Sequence, residues 1–246
     1  MPNPTSHMYL VHDLSFDKSE QYKSYLLLGS VSPDIRVITK TPRIEYHYFD
    51  LINGEKGDGI KNFITNNKYI TLQSNNNETK YYVTGYVSHL IADENWTINV
   101  FRKIFMNKDL FPDFYQALFL DRALQIYLDT ILSSDSVNIY SYFNKIILDK
   151  INLPNNINLK DLERWINFIV DLNHNFKNNP WDRLEFMANR LSKTYKSQDI
   201  LDLHNDFIQN IDKNINELIQ RIPENTLDFY INDTKTTIEK IAKDLY

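Results

Sequence analysis

The stretch Tyr81–Phe105 contains no proline and one glycine, Gly85, and its bulky residues recur at helical spacing. Tyr82, Tyr86, His89, Asp93, Trp96 and Val100 follow one another at steps of four and three, so they share one face of a helix. A face this rich in aromatic rings belongs inside the protein. It nevertheless carries a histidine and a carboxylate one turn apart, which is about 6 Å along the axis. A buried carboxylate is costly unless it is paired or bound to a metal. His89 and Asp93 therefore read as two ligands of a metal site, the alternative being an ordinary hydrogen-bonded pair at this spacing.

Cysteine is absent, which excludes thiolate ligands and disulfides and leaves His, Asp and Glu to hold any metal. Of the 246 residues 42% are hydrophobic and 13% aromatic, enough for a substantial core in a folded chain. Five glycines and eight prolines supply little turn chemistry for a β-rich fold. A net charge of -5 and a pI near 5.7 argue against binding nucleic acid or an anionic membrane by charge alone. No apolar run is long enough for a transmembrane helix, and the start of the chain lacks a basic, apolar leader, so a cytoplasmic location is expected.

Several further segments bear on the central stretch. Residues 4–14 read as a short helix in which His7 shares a face with Val11 and points inward, while His12 lies elsewhere on the wheel and faces solvent. A second helix over residues 19–30 ends in Tyr25-Leu-Leu-Leu-Gly29, and Pro33 breaks the helical run. Asp34 then sits in a tight turn, where aspartate commonly caps the next segment. Arg36, Lys40 and Arg43 form a basic stretch that is either solvated or set to offset substrate charge. His47 follows within the aromatic segment Glu45–Asp50. The later half reads as helical over 110–132, 137–148, 159–176, 180–191 and 197–222, with a last helix to 246. The expected fold is all-α: a multi-helix bundle around a central metal-binding helix. One domain is expected over 1–246, with the metal-site half at about 1–105 and a helical C-terminal half at about 106–246.

Ser6-His7, Gly29-Ser-Val-Ser-Pro-Asp34, Tyr46-His47-Tyr-Phe49 and Gly85-Tyr-Val-Ser-His89-Leu-Ile-Ala-Asp93 occur in that order. The order resembles the zinc-dependent phospholipase C-like family, in the superfamily that also holds single-strand-specific zinc nucleases. Its members carry a Thr/Ser-His near the start and a Gly-x-x-x-Pro-Asp turn. An aromatic segment bearing a histidine and a Gly-Tyr/Trp-x-x-His-xxx-Asp helix complete the set. The resemblance implies a helical fold whose clustered zinc ions cleave phosphate esters. By position, Asp34, His47, His89 and Asp93 would surround one ion and His7 would join a bridging Asp93 at a second. One or two zinc ions are implied, and imidazole with carboxylate also suits iron or manganese. Members with three metals have further histidines and a His-xxx-Glu set beyond the central helix. Here only His174 and His204 remain, neither has a glutamate four residues on, and both read as structural.

These features favour an enzyme: a metal-dependent hydrolase of a phosphodiester or other phosphate ester using metal-activated water. Asp34 is the candidate to orient or deprotonate that water, and a small-molecule or lipid-like phosphate ester is the expected substrate. A non-haem iron enzyme that tailors a small molecule, and a non-catalytic helical protein-binding domain with a structural metal site, are the alternatives.

Overall fold

The site hangs on the crossing of two helices whose backbones nearly touch. A computed structural model describes residues 2–12, 14, 20–71, 76–133, 138–176 and 179–245. Ser19, Val137 and Tyr246, the ends of three expected helices, lie outside the described residues. All elements among the described residues are helical, as the periodicity predicts.

The first half runs α1 (Pro4–His12), α2 (Glu20–Val31), a 3-10 turn at Ser32–Ile35, α3 (Arg36–Thr39), α4 (Ile44–His47), α5 (Asp58–Asn66), α6 (Lys68–Thr71) and α7 (Asn77–Asn95). A π-helical segment, Trp96–Phe105, extends α7. The second half runs α8 (Phe114–Leu132), 3-10 turns at Ile139–Lys145 and Leu148–Lys150, α9 (Leu159–Phe176), α10 (Asp182–Tyr195), α11 (Asp199–Gln209), α12 (Ile211–Arg221) and α13 (Thr226–Leu245).

Helix α2 runs through Gly29 to Val31, one residue beyond the expected end. Gly29 sits where α2 meets α7. A Cβ on Gly29 would lie 2.0 Å from the Tyr82 carbonyl oxygen, and one on Gly85 would lie 2.0 Å from the Leu26 carbonyl oxygen. Only glycine at both positions lets the two backbones come this close. The helix then ends two residues before Pro33, and the Trp165 indole donates to the Val31 carbonyl at 2.9 Å, satisfying one of its last acceptors.

Helix α7 is buried on every side from Tyr82 to Asn95, so the aromatic face is one side of a fully enclosed helix. Two apolar clusters flank it. One joins α1, α2 and α7 to α9 around Leu27, Leu28, Tyr82, Tyr86 and Trp165. The other joins the π segment to α8 and α10–α13 around Trp96, Phe119, Leu124 and Tyr230.

Two expected helices differ. Residues 139–150 form 3-10 turns instead of an α-helix. The stripe over 197–222 is divided at Asn210, whose backbone leaves the helical region at φ -152° and whose side chain accepts from the Lys213 amide to cap α12. Both local patterns satisfy helical spacing; the breaks come from packing and capping that spacing does not encode.

Asp129 on α8 ties the two halves together. Its carboxylate accepts from Asn3 Nδ2 at 2.9 Å, from the Ser6 amide at 3.0 Å, from the Ser6 hydroxyl, and from Arg183 on α10 at 2.8 Å. Burial raises its pKa, an effect the Arg183 charge and these hydrogen bonds oppose. Asp129→Ala leaves Arg183, itself only 8% exposed, without its carboxylate. It is expected to cost about 3–5 kcal/mol, measured by denaturant unfolding. A loss under about 1 kcal/mol would show that the pair behaves as a surface ion pair.

Candidate metal centre

Four separate elements deliver the candidate ligands. His7 comes from α1, immediately after the Ser6 that Asp129 anchors. Asp34 comes from the 3-10 turn that Pro33 begins, and is not drawn away to cap a helix by its side chain. His47 is the last residue of α4. The Tyr86 hydroxyl donates to the preceding Tyr46 carbonyl at 2.6 Å and so holds that short helix against α7. The chain leaves α4 through Tyr48 at φ 55°, a left-handed conformation uncommon for a bulky residue. Asn62 and Asn67 hold Tyr48 in place through its carbonyl and hydroxyl. His89 and Asp93 lie on α7.

The five side chains converge. His47 Nε2 lies 3.2 Å from His89 Nε2, 3.2 Å from Asp93 Oδ2 and 3.5 Å from Asp34 Oδ1. His7 Nε2 lies 3.3 Å from Asp93 Oδ1, and the His7 and His89 rings stack with centroids 3.7 Å apart. Ligand atoms of His7, His89 and Asp93 lie within 4.8 Å of one another, as do those of Asp34, His47 and His89.

The hydrogen bonding of this cluster suits a metal. His89 Nδ1 donates to the Ser30 carbonyl at 2.8 Å, which fixes the ring and turns Nε2 into the cluster with its lone pair available. With Nδ1 committed, His89 can serve only one ion. Asp93 is the member whose two oxygens face opposite sides, Oδ1 toward His7 and Oδ2 toward His47. Both ring nitrogens of His7, Nδ1 of His47 and Oδ1 of Asp93 are buried without a hydrogen-bond partner, an arrangement costly to leave unmatched. Three imidazoles and two carboxylates are a donor set that zinc accepts. The residues fit.

Arg43 adds an ion pair that the spacing did not disclose. Its Nη2 lies 2.7 Å from Asp93 Oδ2 and its Nη1 donates to the Phe49 carbonyl at 3.0 Å. A carboxylate oxygen has two lone pairs, so Oδ2 can accept from Arg43 and still face an ion. Arg36 is half-buried beside Asp34 in the wall of a pocket. Lys40 is exposed, and its ammonium bonds the Val37 carbonyl at the end of α3. His174 is exposed on α9, and His204 packs edge-on to Phe119 in the second apolar cluster. His12 is half-buried against Tyr142.

Ionisation follows from these surroundings. Burial and the neighbouring His89 push the His7 pKa down to about 4, so at neutral pH it is uncharged. Burial alone would lower His89, but the Asp93 charge outweighs it and raises the pKa. Burial would raise both carboxylates, yet the histidines reverse this. Asp34 is held down at about 2 and Asp93 well below the usual carboxylate range. Both are ionised at neutral pH.

Sequence reasoning missed the Ser30 carbonyl, because a backbone acceptor has no residue signature. It also missed Asp129, which positions His7 from 122 residues away. The neighbouring Ser6-His7 dipeptide was the available signal for that contact.

Comparisons with curated proteins and with solved structures found no match. Among the described residues no helix is long and apolar enough to cross a membrane. Residues 6–96 match the family model described as zinc dependent phospholipase C; this span holds all five converging residues and is similar to that family over this part of the chain.

Proposed function

We propose that the cluster of His7, Asp34, His47, His89 and Asp93 holds one or two zinc ions and that the protein hydrolyses a phosphodiester or related phosphate ester. The observation that carries this reading is the convergence of three imidazoles and two carboxylates, with His7 Nε2 and Asp93 Oδ1 buried without a hydrogen-bond partner. The chemistry that zinc supplies when bound is Lewis acidity toward water and toward a phosphoryl oxygen.

The protein's own residues divide the remaining work. His89, fixed by Ser30, and His47, fixed through Tyr46 and Tyr86, orient their Nε2 atoms. Asp93 spans the two halves of the cluster and Arg43 holds it in place. Asp34 differs from the other four: its side chain is 17% exposed where theirs are 3% or less. It also faces the pocket. Being ionised with its pKa held at about 2, it is suited to orient a water through a carboxylate oxygen; it is not an acid at neutral pH, and it is only a weak base. Arg36 lines the same pocket.

Hydrolysis of bis(p-nitrophenyl) phosphate by the zinc-loaded protein tests this. Activity that a chelator abolishes is expected, and Asp34→Asn should lower kcat by about 100-fold. Absence of turnover on phosphate esters by protein shown to contain zinc would overturn the hydrolase reading.

A further inference from the structure

Asp34 also belongs to a second feature, built largely by the part of the chain beyond residue 96. A pocket of about 350 Å³ lies between the start of α1, the Asp34 turn, and α8, α9 and α10. Its lining carries four arginines, Arg36, Arg122, Arg183 and Arg190, against one carboxylate, Asp34.

Two of these arginines are already engaged. Arg183 is paired with Asp129 at 2.8 Å. Arg122 donates to Gln125 at 2.9 Å and lies 3.6 Å from Asp121. Arg36 and Arg190 have no ion pair among the described residues, and Arg36 Nε is buried with no hydrogen-bond partner. Burial lowers the Arg36 pKa most, the charges of Arg190 and Arg43 add to this, and the Asp34 and Asp93 carboxylates oppose it; within the pocket lining four guanidinium groups face a single carboxylate. The lining also carries apolar and aromatic side chains. Trp165 and Phe168 stack with centroids 5.3 Å apart, and Phe176, Met187 and Leu191 extend the surface. Phe186, also in the lining, is 61% exposed.

We propose that this pocket is an anion-binding specificity site: Arg36 and Arg190 take a second phosphate or carboxylate of the ligand, and the aromatic side chains of the lining take its apolar body. Guanidinium groups suit this task because their forked donors match the oxygens of phosphate and carboxylate. A desolvated donor such as Arg36 Nε gains a partner when the anion enters. The preferred substrate is then a phosphate ester that carries a further anionic group on an apolar frame. Only the identity of the ester that is cleaved rests on the zinc hydrolase reading; the anion site stands on its own residues.

The test is calorimetric titration of the full chain with naphthylmethylphosphonate, a non-hydrolysable aromatic anion, in the presence of a chelator. Binding is expected without metal. Arg36→Gln and Arg190→Gln should each weaken it by about tenfold, with unfolding midpoints confirming that both variants fold. Arg190 is exposed on α10, so its variant keeps the test valid if Arg36→Gln fails to fold. Naphthalenemethanol, which lacks the anion, should not bind measurably. Failure of the wild type to bind the phosphonate, or binding that neither arginine affects, overturns the proposal. Arginine-dependent binding in a protein that contains zinc but hydrolyses no phosphate ester supports the pocket while removing the hydrolase reading. Hydrolysis with arginine-independent phosphonate binding does the reverse. Sedimentation with phosphatidylcholine vesicles carrying phosphatidic acid separates two sources of the same chemistry. Arg190-dependent sedimentation assigns a lipid-borne anion, and phosphonate binding without it assigns a soluble one.

Discussion

Gly85→Ala is expected to destabilise the protein by about 3 kcal/mol or more, although alanine is the better helix former by about 1 kcal/mol. The added Cβ would lie 2.0 Å from the Leu26 carbonyl oxygen and 2.8 Å from the Ser30 amide nitrogen. Both are backbone atoms of α2, so no side-chain rotation relieves the overlap and the helices must move apart. Separation also strains the 2.8 Å bond between His89 Nδ1 and the Ser30 carbonyl, so stability and the site should fail together. A chain of this size should lose about 6–12 °C from its unfolding midpoint. Gly57→Ala is the control. Gly57 has φ 96° but open space where its Cβ would go, so only backbone strain of about 1–2 kcal/mol is expected. Thermal unfolding of both variants decides the matter. A Gly85→Ala midpoint within about 2 °C of wild type would show that the helices have room to spare.

Asp93→Asn is expected to remove both ions, or at least the one on the His7 side, and to abolish phosphodiester hydrolysis. Asn preserves the size and one oxygen but loses the negative charge that faces His7, His47, His89 and Arg43 together. A cationic cluster left against Tyr82, Tyr86 and Trp96 without that charge is poorly compensated. The helix itself should persist, since Asn and Asp differ by only a few tenths of a kcal/mol in propensity. Zinc content and circular dichroism of the purified variant test this. Full zinc content in a folded variant would show that Asp93 is no bridge and that its contacts with the histidines are ordinary hydrogen bonds.

The helical class was legible because long stretches such as 159–176 repeat their apolar residues at helical spacing, and there the helix has the expected ends. The candidate ligands were legible as residue types in an order, His7, Asp34, His47, His89 and Asp93, and the fold brings those five together. Gly29 was not legible in its true role. In the sequence it falls inside the helix expected over 19–30 without a role, whereas its function is to meet the Tyr82 backbone from another helix. Arg43 gave the signal of a basic loop because the carboxylate it meets is 50 positions away. The arginine pocket was hidden for the same reason: Arg36 and Arg190 lie 154 positions apart in the chain and are joined only by packing. Local periodicity reports which face of an element is apolar. It does not report which elements meet, nor which backbone carbonyl orients a ring.

Elemental analysis of protein purified without added metal and without a histidine tag tests the central claim most directly, because every role assigned to the cluster depends on its holding zinc. One or two equivalents of zinc per chain are predicted, falling by at least one equivalent in His89→Ala and unchanged in His174→Ala and His204→Ala. A wild-type protein that contains no zinc and takes none up on titration would contradict the account.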